Sequence, residues 1–112
     1  MGVELELHSG RPARNDWDKS RATLLRGSYE HGKGLAQALD RLAPNSPGKL
    51  WWVDPYGNTV FNEQEAEAAL REIDGLLEKC SSQVQRDAVK DLAVLLRCCA
   101  ATPGSYLWFI GD

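Results

Sequence analysis

The sequence predicts an α+β fold: a sheet of about four strands, mixed or mainly antiparallel, packed against a C-terminal helical hairpin, with one short helix besides. Three observations predict it. Val3, Leu5 and Leu7 alternate with Glu4 and Glu6, the period of a half-buried strand. Two apolar stripes at helical spacing run from Ala66 to Cys80 and from Val84 to Cys99. The run Ser105-Tyr106-Leu107-Trp108-Phe109-Ile110 is rich in β-formers and lacks polar alternation, so it reads as an inner strand covered on both sides.

Each element follows in order. After the first strand, residues 9–18 carry the Gly, Pro, Asn and Asp density of an exposed loop, longer than most connections in compact domains. In residues 20–29, Ala22, Leu24 and Leu25 fit a short helix or a strand equally well. Beyond Gly32-Lys33-Gly34, Leu35, Leu39 and Leu42 recur at helical spacing until Pro44 stops the pattern, which predicts the short helix. Leu50-Trp51-Trp52-Val53 and Thr59-Val60-Phe61, with Pro55 and Gly57 between them, predict a β-hairpin. Asn62 followed by Glu65 is a capping box, flanked by Phe61 and Ala66 at the staple positions, so a helix starts there. Its solvent face is Glu63, Glu67, Arg71, Asp74 and Glu78; Ser82 and Gln85 repeat the capping spacing for the second helix, which ends before Pro103-Gly104. The two helices pair antiparallel.

A chain of 112 residues, 43% hydrophobic and 26% charged, has the size and balance of one domain spanning residues 1–112 with a single core. Its formal charge of −3 is unevenly spread. Residues 1–49 hold eight Lys/Arg against six Asp/Glu, and residues 50–112 five against ten. So weak a field argues against duplex nucleic acid as the partner, since neutralising many phosphates takes a basic stripe. The opening residues have neither the basic start nor the apolar run of a secretion signal, and no stretch approaches the roughly 20 apolar residues of a membrane span. The expectation is a cytoplasmic protein that does not engage a membrane.

Reactive residues are sparse. Cys80 ends one predicted helix while Cys98 and Cys99 end the next. An antiparallel hairpin separates such ends by roughly 25 Å at ~1.5 Å per residue, too far for a shared bond or metal. Core packing is the leading reading for Cys80 and Cys99. His8 and His31 have no local nucleophile signature beside them. Residues 54–65 match a calcium loop at Asp54, Asn58, Asn62 and Glu65, but Tyr56 and Thr59 break the pattern, and a turn followed by a helix cap explains the same residues. Gly32-Lys33-Gly34 lacks the full phosphate-loop spacing and reads as a turn. The basic and aromatic residues between His8 and Lys33 are diluted by Asp16, Asp18 and Glu30, so a solvated loop outweighs a single-stranded nucleic-acid site. No metal, no cofactor and no complete catalytic constellation is expected.

Aromatic content carries the functional expectation. Trp51 and Trp52, adjacent on a strand, would face opposite sides of the sheet, and only the short helix and residues 20–29 remain to cover the second face. An uncovered tryptophan-bearing patch marks an interface. The leading reading is therefore a noncatalytic protein-binding module using an aromatic sheet face, with Trp51, Trp52 and the neighbouring loop at Trp17 as its site and another protein or a second copy as partner. The alternative is a small-molecule binder with a pocket between sheet and short helix and Arg26 or Tyr29 as polar handle.

The run Trp52-Val53-Asp54-Pro55-Tyr56-Gly57-Asn58-Thr59-Val60-Phe61-Asn62, with the Ala/Glu/Leu-rich helix after it, resembles small uncharacterised bacterial proteins of GC-rich genomes. In size, acidity and layout the chain is also similar to the immunity proteins that neutralise toxins. That resemblance implies a protein partner and assigns a role to no residue.

Overall fold

The computed structural model describes residues 2–10, 23–43 and 45–111. They form an α+β fold with strands β1 (Val3–His8), β2 (Leu24–Ser28), β3 (Asn58–Asn62) and β4 (Tyr106–Gly111). The helices are α1 (Gly32–Leu39), α2 (Glu63–Leu70), α3 (Ile73–Lys79) and α4 (Gln83–Ala101). All strand pairs are antiparallel, in the order β2-β1-β4-β3. Residues 24–28, ambiguous in sequence, are thus an edge strand, paired to β1 across an irregularity at Leu7/His8.

Alternation decides which face is buried. Val3, Leu5 and Leu7 of β1, Leu107 and Phe109 of β4 and Phe61 of β3 point to one side and join Leu92, Leu95, Leu96 and Cys99 of α4 in one core. Phe61 and Phe109 meet edge to face with centroids 4.8 Å apart. The opposite face, bearing Glu4, Glu6, Val60, Tyr106, Trp108 and Ile110, stays half-exposed. β4 is an inner strand as predicted, but its second face, with Tyr106, Trp108 and Ile110 half-buried, is covered only in part, where its lack of polar residues suggests full cover.

The capping box forms: the Glu65 amide donates to Asn62 Oδ1 at 2.8 Å, and the Asn62 amide donates to Glu65 Oε1 at 3.1 Å. At the start of α4 the Gln85 amide donates to Ser82 Oγ, while Gln85 Oε1 accepts from Ser81, one residue earlier than the box requires. α1 packs on α4 through Gly34, where a Cβ would lie 2.8 Å from the Val84 carbonyl oxygen. The Arg41 side chain reaches from the end of α1 to the Lys79 carbonyl at the end of α3.

Two expectations are corrected. The predicted helix from Asn62 to Cys80 is broken: tight turns close at Arg71 and Glu72, whose amides bond the Ala68 and Ala69 carbonyls, and the helix resumes at Ile73. Glu72 is drawn away because its carboxylate accepts from the Lys49 amide at 2.8 Å and the Leu50 amide at 3.2 Å. Those bonds also explain the second correction. Leu50–Trp52 is a 3₁₀ turn rather than a strand, closed by Trp52 N to Lys49 O and Val53 N to Leu50 O, and β3 begins only at Asn58. Among the described residues no helix is long and apolar enough to cross a membrane.

Candidate functional site

Loss of the expected strand moves Trp51 and Trp52 off the sheet and onto one wall of a groove. A cavity of about 930 Å³ lies between α1 and residues 50–56. Lys33, Ala36 and Gln37 of α1 and Asp40, its C-cap, line it at the i, i+3, i+4, i+7 spacing of one helix side. The opposite side of the same helix is buried through Gly34, Leu35 and Ala38. Val3, Leu50 and Val53 are buried beneath the groove, Trp51 is half-buried in its wall, and Trp52 and Tyr56 stand 72% and 69% exposed at its rim.

Local chemistry fixes that wall. At its start, the Glu72 carboxylate holds the Lys49 and Leu50 amides. Beyond Val53, Asp54 Oδ1 accepts from the Tyr56 amide at 2.9 Å, an Asx turn, and the Asp54 amide donates to Thr59 Oγ1 at 2.9 Å. The Gly111 amide then donates to the Gly57 carbonyl at 2.8 Å, tying the turn to the end of β4. A Cβ on Gly111 would come 2.5 Å from the Pro55 carbonyl oxygen, so the turn lies directly on that strand end.

The structure separates the predicted site residues. Trp51 and Trp52 share the groove, whereas Trp17 lies outside the described residues. Arg26 and Tyr29 sit elsewhere, in a smaller cleft of about 260 Å³ with His31 and Asp91, where the Ser28 hydroxyl donates to the Asp91 carboxylate. They are not handles of the groove. The polar handles it does have, Lys33, Gln37, Asp40 and Asp54, were missed, because what gathers them is the packing of α1 beside the turn. The local signals at Asp54 and Lys33, a partial calcium-loop match and a Gly32-Lys33-Gly34 turn, point to other chemistry and not to a shared groove.

A polar cluster on the open sheet face also escaped the sequence. His8 is 2% exposed and bonds through both ring nitrogens, Nδ1 to Thr23 Oγ1 at 2.8 Å and Nε2 to Glu6 Oε1 at 3.0 Å. The Tyr29 hydroxyl donates to the other Glu6 oxygen at 2.8 Å, and Trp108 meets the imidazole edge-on. Carboxylate, imidazole and hydroxyl stand in the order of a nucleophilic relay. With the ring packed away and both nitrogens engaged, the cluster clips β1 to the chain entering and leaving β2.

Burial raises the Cys99 thiol above its ordinary value, only partly offset by its hydrogen bond with Ser105. Desolvation likewise raises Cys80 against the pull of Arg86 and Arg41. Among the described residues no cluster of His, Cys, Asp or Glu has metal-binding geometry. The groove supplies ring faces, aliphatic floor and a few charges, a set suited to holding a ligand. Compared with known proteins, the chain matches no family model, and no curated protein or solved structure shows significant similarity to it.

Proposed function

We propose that this protein is a noncatalytic binding module whose site is the groove between α1 and the Trp51–Tyr56 wall, and whose ligand is a segment of another protein. The single observation behind the reading is the exposure of Trp52 and Tyr56 at the rim of an apolar groove. Large aromatic side chains left in water beside a cavity are the anchors that interfaces use, because burying one on binding removes 150 Å² or more of apolar surface on the order of 25 cal/mol per Å². The bonds from Glu72 and Gly111 support it further: a wall held from both ends loses little entropy when a partner docks.

The test compares partner capture by the wild type and Trp52→Ala from native extract, with melting temperatures measured in parallel. Capture of the same partner by the wild type and not by the variant, at unchanged stability, is the expected result. Equal capture by both removes the groove from the reading.

A second reading, a small-molecule binder, is favoured by the cavity's size, which lies within the ~300–1,000 Å³ typical of ligand pockets. Native mass spectrometry of gently purified protein separates the two: a retained non-protein mass favours the small ligand, a bare monomer the protein partner, and a dimer a second copy as that partner.

A further inference from the structure

We infer that the groove receives a basic side chain, arginine or lysine, carried on an apolar stretch of the partner. This rests on the binding reading above and names the chemistry recognised. Three aromatic rings, Trp51, Trp52 and Tyr56, open on one cavity with two carboxylates, Asp40 and Asp54. Ring faces carry negative quadrupole charge and attract a cation placed over them, tryptophan most strongly and guanidinium more often than ammonium.

The carboxylates add a Coulomb term of the same sign. The Asp40 carboxylate makes no hydrogen bond or ion pair among the described residues, and the Asp54 carboxylate commits only Oδ1, to the Tyr56 amide. Among the described lining residues Lys33 is the one cation, against the two carboxylates of Asp40 and Asp54. The neighbouring Lys49 is turned toward Glu65, 3.9 Å away, and does not line the cavity.

The same geometry selects a peptide as the carrier. Beyond the rings the lining continues through Ala36, Leu39 and Leu42, apolar surface that a free ammonium ion would leave uncovered. Apolar residues flanking an arginine would fill it.

The experiment titrates the full chain with two blocked tripeptides, acetyl-Leu-Arg-Leu-amide and its norleucine counterpart, and with choline, following the indole N–H signals of Trp51 and Trp52 by NMR. The arginine peptide is expected to bind roughly fivefold to tenfold more tightly than the norleucine peptide. Asp40→Asn/Asp54→Asn should reduce that preference to less than twofold. Should Asp54→Asn disturb its turn, Asp40→Asn alone, at an exposed position whose carboxylate has no partner among the described residues, reads the same loss in part. Equal affinity for the two peptides overturns the inference and leaves the binding module standing. Choline binding as tightly as the arginine peptide overturns the protein source and moves the cation to a small ligand. Absence of any indole shift with all three probes overturns the inference too. The groove itself is then judged by the Trp52→Ala capture experiment, which fails or succeeds separately.

Discussion

The two sides of α1 are a contrast within one eight-residue helix. One side is pressed so closely on α4 that Gly34 has no room for a side chain, and Leu35 and Ala38 are fully buried there. The other side, with Lys33, Ala36, Gln37 and Asp40, faces open space and a wall of aromatic rings. The difference teaches that the groove is not a packing defect. The helix is anchored by its inner side and by Arg41 reaching the Lys79 carbonyl, and the aromatic wall is anchored independently by Glu72 and Gly111. Two separately fixed walls can keep a gap between them.

Changes that break the locked side should have the largest effects. Leu35→Ala removes a buried side chain from the core and is expected to cost about 2–5 kcal/mol in denaturant unfolding. Gly34→Ala pushes a methyl group against the Val84 backbone and should cost about 1–3 kcal/mol by prising α1 from α4. If Gly34→Ala were neutral, the close approach would not be what holds the helix.

Intermediate effects belong to the wall's anchor. Glu72→Ala leaves the Lys49 and Leu50 amides without their acceptor and should cost about 1–2 kcal/mol, with broadened indole signals from Trp51 and Trp52 as the signature of a loosened turn. Stability lost without broadening would show that the 3₁₀ turn stands on its own. On the open side, Trp52→Ala should leave stability within about 0.5 kcal/mol while abolishing partner capture. A large loss of stability would place Trp52 in the core after all.

The smallest effect is a pH slope. Because the Cys99 thiol is raised in the folded state, the unfolded chain ionises it first. Its contribution is whole below the free thiol's pKa and is lost as pH climbs from there through the folded value. Denaturation curves between about pH 8 and pH 10 should show this decline, and Cys99→Ala should flatten it.

How much of this the sequence disclosed depends on how local each signal is. The start of α2 was legible because Phe61, Asn62, Glu65 and Ala66 act on one another within a single turn. The core face of β1 was legible because alternation belongs to the strand itself. Leu50-Trp51-Trp52-Val53 departs from the strand its composition predicts because that composition is overridden by a carboxylate 22 residues away at Glu72. The helix break at Arg71 and Glu72 is the other half of that same exchange. The groove was illegible for the same reason: Trp51 and Trp52 were marked as candidates, but their partners Lys33, Gln37, Asp40 and Asp54 come together only through tertiary packing.

The strand order has a consequence for how the molecule is made. β4, the last strand along the chain, lies in the middle of the sheet, and β1 and β3 share no edge without it. A ribosome therefore delivers the β1–β2 pair, the groove's two walls and helices α1 to α4 before the strand that joins the sheet's halves. Until Tyr106–Gly111 arrives, β1 and β3 have no strand to pair with in common, and the aromatic turn lacks the Gly111 amide that fastens it. Sheet closure must then wait for contacts spanning most of the chain, a slow step that leaves the unpaired edges of β1 and β3 open to foreign strands while they wait.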